Sequence, residues 1–391
     1  MKALQDIKVL ELGQLIAGPF AARTLADFGA DVIKVEPDDI GDPLRKWRML
    51  RDGTSVWWDV QSRNKRSVCL DLRSEAGQEA VRELAREADV LIENFKPGKL
   101  EEWGLGWDSL HALNPRLIML RISGYGQTGP YRDKPGFGVL GEAMGGLRHL
   151  TGEPGRVPVR VGVSIGDTLA ALHGVIGILT ALHHRTAHGG EGQCIDVALY
   201  EAVYNVMESL LPEYDAFGAV RERAGSALPG IAPTNAYRCR AGDYVLVAGN
   251  GDSIFRRLMR AIGRHDLADD AQLAHNDGRV ARSEELDRAI EAWTETRERD
   301  EVLAMLDAAQ VPVGRIYSVA DIASDPQYLA RGMIVDGPAC NGGTIKMPGI
   351  VPKLSATPGA IAFAAPRLGQ HTSDLQDGGW PVRKNPEEYV P

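Results

Sequence analysis

Short runs of consecutive apolar positions alternate, along the first half of the chain, with longer stretches of helical period. Residues 7–12 (IKVLEL) read as a buried strand. Residues 17–30 follow as an amphipathic helix, with Pro19 near its first turn and Gly29 near its end, the places helix chemistry prefers. Residues 31–36 (DVIKVE) and 67–72 predict two more strands, residues 75–88 a helix with an apolar stripe, and residues 89–94 and 116–123 further strands. Strands alternating with helices of this length imply βαβ crossovers and a mostly parallel, doubly wound sheet covered on both faces. Ligands bind beyond the carboxyl ends of such strands, here the glycine-bearing turns at residues 13–18, 36–42, 93–98 and 124–129.

Residues 168–184 are apolar almost all round, which predicts a helix buried against other helices or another subunit. A polar, glycine-rich stretch ends it, residues 194–198 form a short strand, and residues 200–211 are helix-like. The pattern then changes: residues 212–233 read as a linker, residues 237–239 and 244–248 flank a hairpin turn, and residues 253–263, 283–296 and 299–309 are charged amphipathic helices. The expected organisation is a large α/β, Rossmann-like domain over 1–211, a linker over 212–233, a smaller α+β domain over 234–320, and a segment over 321–391 returning to the large domain.

A length of 391 residues agrees with two domains. The formal charge of -9 argues against a nucleic-acid partner, since neutralising phosphates takes a basic face. Cys69, Cys194, Cys239 and Cys340 show no CxxC spacing, and the histidines no HExxH spacing, so no metal is implied. The first residues lack the charged and apolar regions of a signal peptide, and no uninterrupted apolar run reaches the ~18 residues of a membrane span. A cytoplasmic protein without membrane partners is expected.

The turn after the first strand, Gly13 to Pro19, does not carry the GxGxxG that lets a backbone approach a dinucleotide pyrophosphate. The cations of Asn64-Lys65-Arg66-Ser67 and Asn94-Phe95-Lys96 lie beside strands, either as solvated surface or as a phosphate site, with Phe95 available to an adenine or a pantetheine arm. Ser164 is not in a GxSxG elbow. Asp167, in VGVSIGD, stands at the mouth of the apolar helix. It can be a helix cap, or a nucleophile that attacks an activated acyl group while helix-start peptide N–H groups hold it ionised; the two roles are compatible.

Taken together, VLELGQLIAGPFAARTLADFGADVIKVE, SRNKRSVCLDL, DVLIENFKPG, SGYGQTGP, VGVSIGD, GEGQCIDVALYEA and VPVGRIYSVADIASDPQ make the chain resemble the family III coenzyme A transferases over nearly its whole length. The resemblance implies a Rossmann-like large domain with a small domain, in an interlaced homodimer. It implies Asp167 as the acyl-accepting nucleophile, and Ile16, Ala17, Lys65, Arg66, Ser67, Asn94, Phe95, Lys96, Gly136 and Phe137 as the lining of a coenzyme A site. Coenzyme A and acyl-CoA would be substrates, with no tightly bound cofactor. Pro37, Glu102 and Gly138 replace charged residues of the oxalate-using relatives, which disfavours oxalate or formate. Phe137 stands where the related racemases carry a histidine, which disfavours α-proton exchange.

The pattern is most similar to the dicarboxylate-using branch, with succinyl-CoA as donor and a C4–C6 acid such as glutarate, malate, citramalate or itaconate as acceptor. A desolvated distal carboxylate needs a cation, for which Arg45, Arg48 and Arg160 are candidates, and the Gly249-Asn250-Gly251 turn is a candidate for closing the site.

Overall fold

The computed structural model describes residues 2–375 and 379–381; Met1, residues 376–378 and residues 382–391, the last two within the predicted C-terminal segment, lie outside the described residues. The chain divides into two compact units. The first comprises Met1–Arg148, Arg160–Gly218 and Gln327–Pro391, and the second His149–Val159 and Ala219–Pro326.

The first unit is built on six parallel strands: β1 (Lys8–Glu11), β2 (Asp31–Glu36), β3 (Lys65–Cys69), β4 (Val90–Glu93), β5 (Ile118–Ser123) and β6 (Cys194–Ala198). Their order is β3-β2-β1-β4-β5-β6. Alternate residues serve opposite faces, as the pleat requires. Val9, Val32, Val90, Ile92, Ile118 and Leu120 are buried on one side with α1 (Ala17–Asp27) and α4 (Ile165–Ala187). Leu10, Ile33, Val35, Leu91 and Met119 are buried on the other with α2 (Glu75–Glu87). Both faces being covered, the strands read as apolar runs rather than alternating ones. Strand order reverses between β1 and β4, which opens a crevice at their carboxyl ends.

Two further helices complete the region of interest, α3 (Gly138–Met144) and α5 (Leu199–Tyr204), both packed on α4. Helix α4 begins at Ile165, three residues before the predicted start at Thr168, and is long and apolar enough to cross a membrane by length and composition alone. Its apolar run is not uninterrupted, being broken by Asp167, Thr168 and His173. One face of α4 is buried in the first unit through Ala170, Ala171, Gly174, Ile178 and Ala181.

The stretch expected as a linker from residue 212 opens inside a helix, Leu210–Phe217, because Leu210 to Phe217 contains no glycine and its capping glycine is Gly218. In the second unit, β7 (Thr234–Arg238), β8 (Tyr244–Ala248) and β9 (Val313–Arg315) form an antiparallel sheet of order β9-β8-β7. Its face is covered by α6 (Asp252–Ala261), α7 (Ser283–Thr294) and α8 (Arg299–Ala308) around Tyr237, Val245, Phe255, Leu258, Leu286, Ile290 and Leu306.

Candidate active site

The crevice between β1 and β4 is shaped by a loop that the chain holds rigidly. The Asn94 carboxamide, just past β4, accepts from the Gln14 N–H at 2.8 Å and donates to the Gln14 carbonyl at 2.8 Å. Gly13 makes room for it, since a Cβ there would stand 3.1 Å from Asn94 Oδ1. Leu15 sits at φ 64°, and its N–H donates to both Asp42 oxygens at 3.1 Å. Beneath, the Lys34 ammonium is fully buried, 2.9 Å from Asp42 and from Glu11, and donates to the Gly13 carbonyl at 2.7 Å. Burial opposes every charge in this group. The Asp42, Glu11 and Glu36 carboxylates nevertheless hold the ammonium above its usual range, and Lys34 with the Leu44 and Leu15 N–H groups holds Asp42 below its own.

Asp167 occupies the first turn of α4, at the third helical residue. Ser164, at the cap, makes no side-chain capping bond, so the cap reading of Asp167 yields to a place inside the helix. Burial, then the nearby Glu142 carboxylate, push the Asp167 carboxyl up to about 6 against the pull of Arg160 and its own peptide N–H. The helix-start N–H favours the ionised form, as expected, but desolvation outweighs its pull and sets the pKa above the ordinary carboxylate range. Gly138 packs directly on the carboxylate, because a Cβ at that position would fall within 2.0 Å of Asp167 Oδ2.

A cavity of about 520 Å³ joins these parts. Its lining includes Ile16 and Ala17 after β1, Asn94, Phe95 and Lys96 after β4, Gly124 after β5, and Gly136, Phe137 and Gly138 leading into α3. Asp167 and Arg160 share the same cavity. Phe95 meets Trp103 edge-on at 5.4 Å between ring centroids, and Phe137 is 67% exposed, leaving an aromatic face open. Arg132 and Lys134 also line the cavity and escaped the sequence reading. Their signal was available: a basic pair in the loop directly after SGYGQTGP, at the carboxyl end of a strand.

Other expected site residues serve the fold instead. Lys65 is fully buried, 2.8 Å from Glu11 and donating to the Pro19 carbonyl at 2.8 Å. Arg66 pairs with Asp31 at 2.6 Å and donates to the Pro381 carbonyl, and Ser67 donates to Glu36 while its own N–H donates to His371 Nδ1. With Arg63 on Asp27 and the Pro348 carbonyl, and Asn64 on the Ala360 carbonyl, this segment fastens the C-terminal part of the chain onto the sheet. Lys65, Arg66 and Ser67 are thus corrected from ligand contacts to a structural clamp. Arg45 is corrected likewise: it makes a bidentate pair with Glu36 at 2.8 Å, lies 3.7 Å over the Trp58 ring and is buried. Arg48 is exposed and lies over Trp57, outside the cavity lining, whereas its neighbour Trp47 is part of that lining. Gly249, Asn250 and Gly251 belong to the second unit, where Asn250 offers its carbonyl to the buried Arg279 and Gly251 caps α6.

Among the described residues, no cluster of three or more histidine, cysteine or acidic side chains is arranged to hold a metal. A single carboxylate near a helix N-terminus, glycine backbone against it, cations nearby and an aromatic-lined channel suit nucleophilic attack on an acyl group carried by an anionic arm.

Comparison with known proteins agrees. The family model described as CoA-transferase family III matches residues 4–372. Succinyl-CoA–D-citramalate CoA-transferase of Chloroflexus aurantiacus is 50% identical over 96% of this chain and 93% of its own length. The alpha subunit of succinyl-CoA–L-malate CoA-transferase, also of Chloroflexus aurantiacus, is 40% identical over 95% of this chain and 87% of its own. The crystal structure of a CAIB/BAIF family protein from Brucella suis superposes with a TM-score of 0.85 at 38% identity, covering 96% of this chain and 99% of that one.

Proposed function

We propose, for a chain that belongs to CoA-transferase family III, transfer of coenzyme A from succinyl-CoA to a C4–C6 dicarboxylate of the citramalate, malate, glutarate or itaconate kind, with Asp167 as the covalent carrier. The enzyme is a CoA-transferase; the acids named are those of its relatives and of the dicarboxylate branch. The observation that carries the covalent reading is that Asp167 lines the cavity at the switch point of the sheet with the Gly138 backbone close against its carboxylate.

The Asp167 carboxylate attacks the thioester carbonyl, forming an acyl anhydride and expelling coenzyme A thiolate. The thiolate attacks the aspartyl carbonyl of that anhydride, releasing succinate and leaving an aspartyl-CoA thioester. The acceptor carboxylate then attacks this thioester, and the thiolate returns to the acceptor's carbonyl, so that Asp167 is regenerated and each bond broken is matched by one formed. Peptide N–H groups in the first turn of α4 face the charge that develops, worth about 3 kcal/mol per donor in comparable sites.

Lys96, Arg132 and Lys134 suit the phosphates of coenzyme A, and Ile16, Ala17, Phe95, Gly136 and Phe137 suit its apolar arm. Arg160, 42% exposed, has donors left for the distal carboxylate of the acid. Coenzyme A enters and leaves as a substrate, which is consistent with a protein holding no tightly bound cofactor. A cytoplasmic location suits soluble thioesters, and the apolar outer faces of α3 and α4 suit contact with a second copy of the chain.

The test is to incubate the protein with succinyl-CoA and a panel of mono- and dicarboxylic acids, follow new CoA esters by mass spectrometry, and repeat with Asp167→Asn. Transfer confined to the dicarboxylates and lost by at least about 10³-fold in the variant is expected. A folded Asp167→Asn variant that transfers at the parental rate overturns the assignment of Asp167.

A further inference from the structure

Five residues into α3, Glu142 is 1% exposed. Helix α3 packs on α4, and Gly166, the residue before Asp167, admits this side chain: a Cβ on Gly166 would stand 3.3 Å from Glu142 Cγ. The Glu142 Oε1 atom is buried without a hydrogen-bond partner among the described residues. Its cation is Arg160, 3.5 Å away and itself 42% exposed, a long pairing by the standard of the other buried ion pairs of this unit. A buried carboxylate kept this loosely compensated costs the fold free energy unless something else gains. The groups bearing on the charge of Asp167 are this carboxylate from α3, Arg160 from the segment before α4, and the peptide N–H of Asp167 itself.

We infer that Glu142 is a positioning residue that acts through Asp167, its negative charge biasing the nucleophile from the ionised carboxylate toward the uncharged aspartyl-CoA thioester. The inference rests on Asp167 being the acylated group. The exchange concerned is aspartate carboxylate plus succinyl-CoA giving aspartyl-CoA thioester plus succinate, which balances in atoms and charge. A neighbouring anion raises the free energy of the free carboxylate and leaves that of the neutral thioester nearly untouched, so the equilibrium moves toward the covalent form. Arg160, 3.5 Å from Glu142, limits the effect, because its own charge stabilises the Asp167 carboxylate.

Glu142→Gln keeps the size and the amide hydrogen-bonding capacity and removes the charge. Protein, succinyl-CoA and succinate are mixed at a fixed ratio without acceptor, and the aspartyl-CoA adduct is quantified by intact mass and mapped to its peptide. The adduct-to-free ratio in Glu142→Gln should fall by about threefold or more, the counterpart of half a pH unit, and the acid limb of the acylation rate should move to lower pH. Glu142→Met, neutral and similar in length, should shift both readouts in the same direction if the glutamine variant folds poorly. A merely structural role for Glu142 would lower thermal stability while leaving the adduct ratio and the acid limb of folded protein unmoved, and that result overturns the inference. If the parent protein carries no adduct on Asp167, the covalent reading itself fails and this inference falls with it.

Discussion

A carboxylate that attacks a thioester must be ionised at working pH and yet poorly stabilised, and Asp167, the proposed nucleophile, suits both demands. Titrating at about 6, it is charged at neutral pH, and burial with Glu142 beside it makes that charge costly. The consequence for stability has a definite sign. The folded-state pKa lies above the ordinary 3.8, so the native protein is favoured while the group is protonated and loses that advantage as pH rises through about 6. Asp167→Asn should therefore be more stable than the parent at pH 7.5, on the order of 2 kcal/mol, with the difference closing between pH 6 and 4. Thermal melts of both proteins across that range check this; a variant less stable than the parent at pH 7.5 rules it out. Gly138 carries a second prediction. A methyl group there collides with Asp167 Oδ2, so Gly138→Ala should displace the carboxylate by about 1 Å and lower kcat by about 10²-fold, with KM for the acyl-CoA much less affected. The contact between Gly138 and Asp167 was not legible from residue types: the sequence marked Gly138 only as a missing charge, because its neighbour in space lies 29 positions further on.

At the level of elements, the strands and helices of the first unit were readable because parallel strands buried on both faces leave apolar runs and core helices leave a stripe of period 3.6. Helix α2, predicted over 75–88, spans Glu75–Glu87, and β2 spans Asp31–Glu36 as predicted. The role of Asn64-Lys65-Arg66-Ser67 was not readable. A basic residue before a strand has the same local pattern whether it meets solvent, phosphate or a buried carboxylate, and the partners here, Asp27, Asp31, Glu11, Pro348 and His371, are remote in sequence. The distinction is measurable. Arg66→Ala leaves Asp31 without its 2.6 Å partner and the Pro381 carbonyl without a donor, and should cost about 3 kcal/mol in chemical denaturation. The KM of the protein that remains folded should be parental. Lys96→Ala should do the reverse, raising KM for the acyl-CoA about tenfold with little loss of stability. A raised KM in folded Arg66→Ala would return that residue to the ligand site.

For the whole molecule, the alternation of elements was enough to foresee a doubly wound sheet, and the fold adds the strand order β3-β2-β1-β4-β5-β6, whose reversal brings the ends of β1 and β4 together at the cavity. What no periodicity could disclose is that residues 149–159 belong to the second unit, since a short irregular segment carries no mark of its destination. The near-uniform apolarity of α4 posed a choice between burial and a partner, and the structure buries one face and leaves the other exposed. One face is in the core, while Leu172, Ile176 and Leu179, spaced four and three residues apart, are 41%, 61% and 44% exposed. Val139, Leu140 and Met144 of α3 are likewise exposed, at 37%, 43% and 46%. A second copy of the chain is the occupant expected from the family resemblance, and the aliphatic side chains at its centre should carry most of the association energy. Ile176→Asp puts a charge at the most exposed of the three α4 positions, where it remains hydrated in a monomer and is desolvated in an interface. The parent should run at about twice its 42.4 kDa chain mass in light scattering, and the variant should run as the single chain with unchanged circular dichroism. A parent that is monomeric at micromolar concentration, or a variant that keeps the doubled mass, would assign this face to something other than self-association.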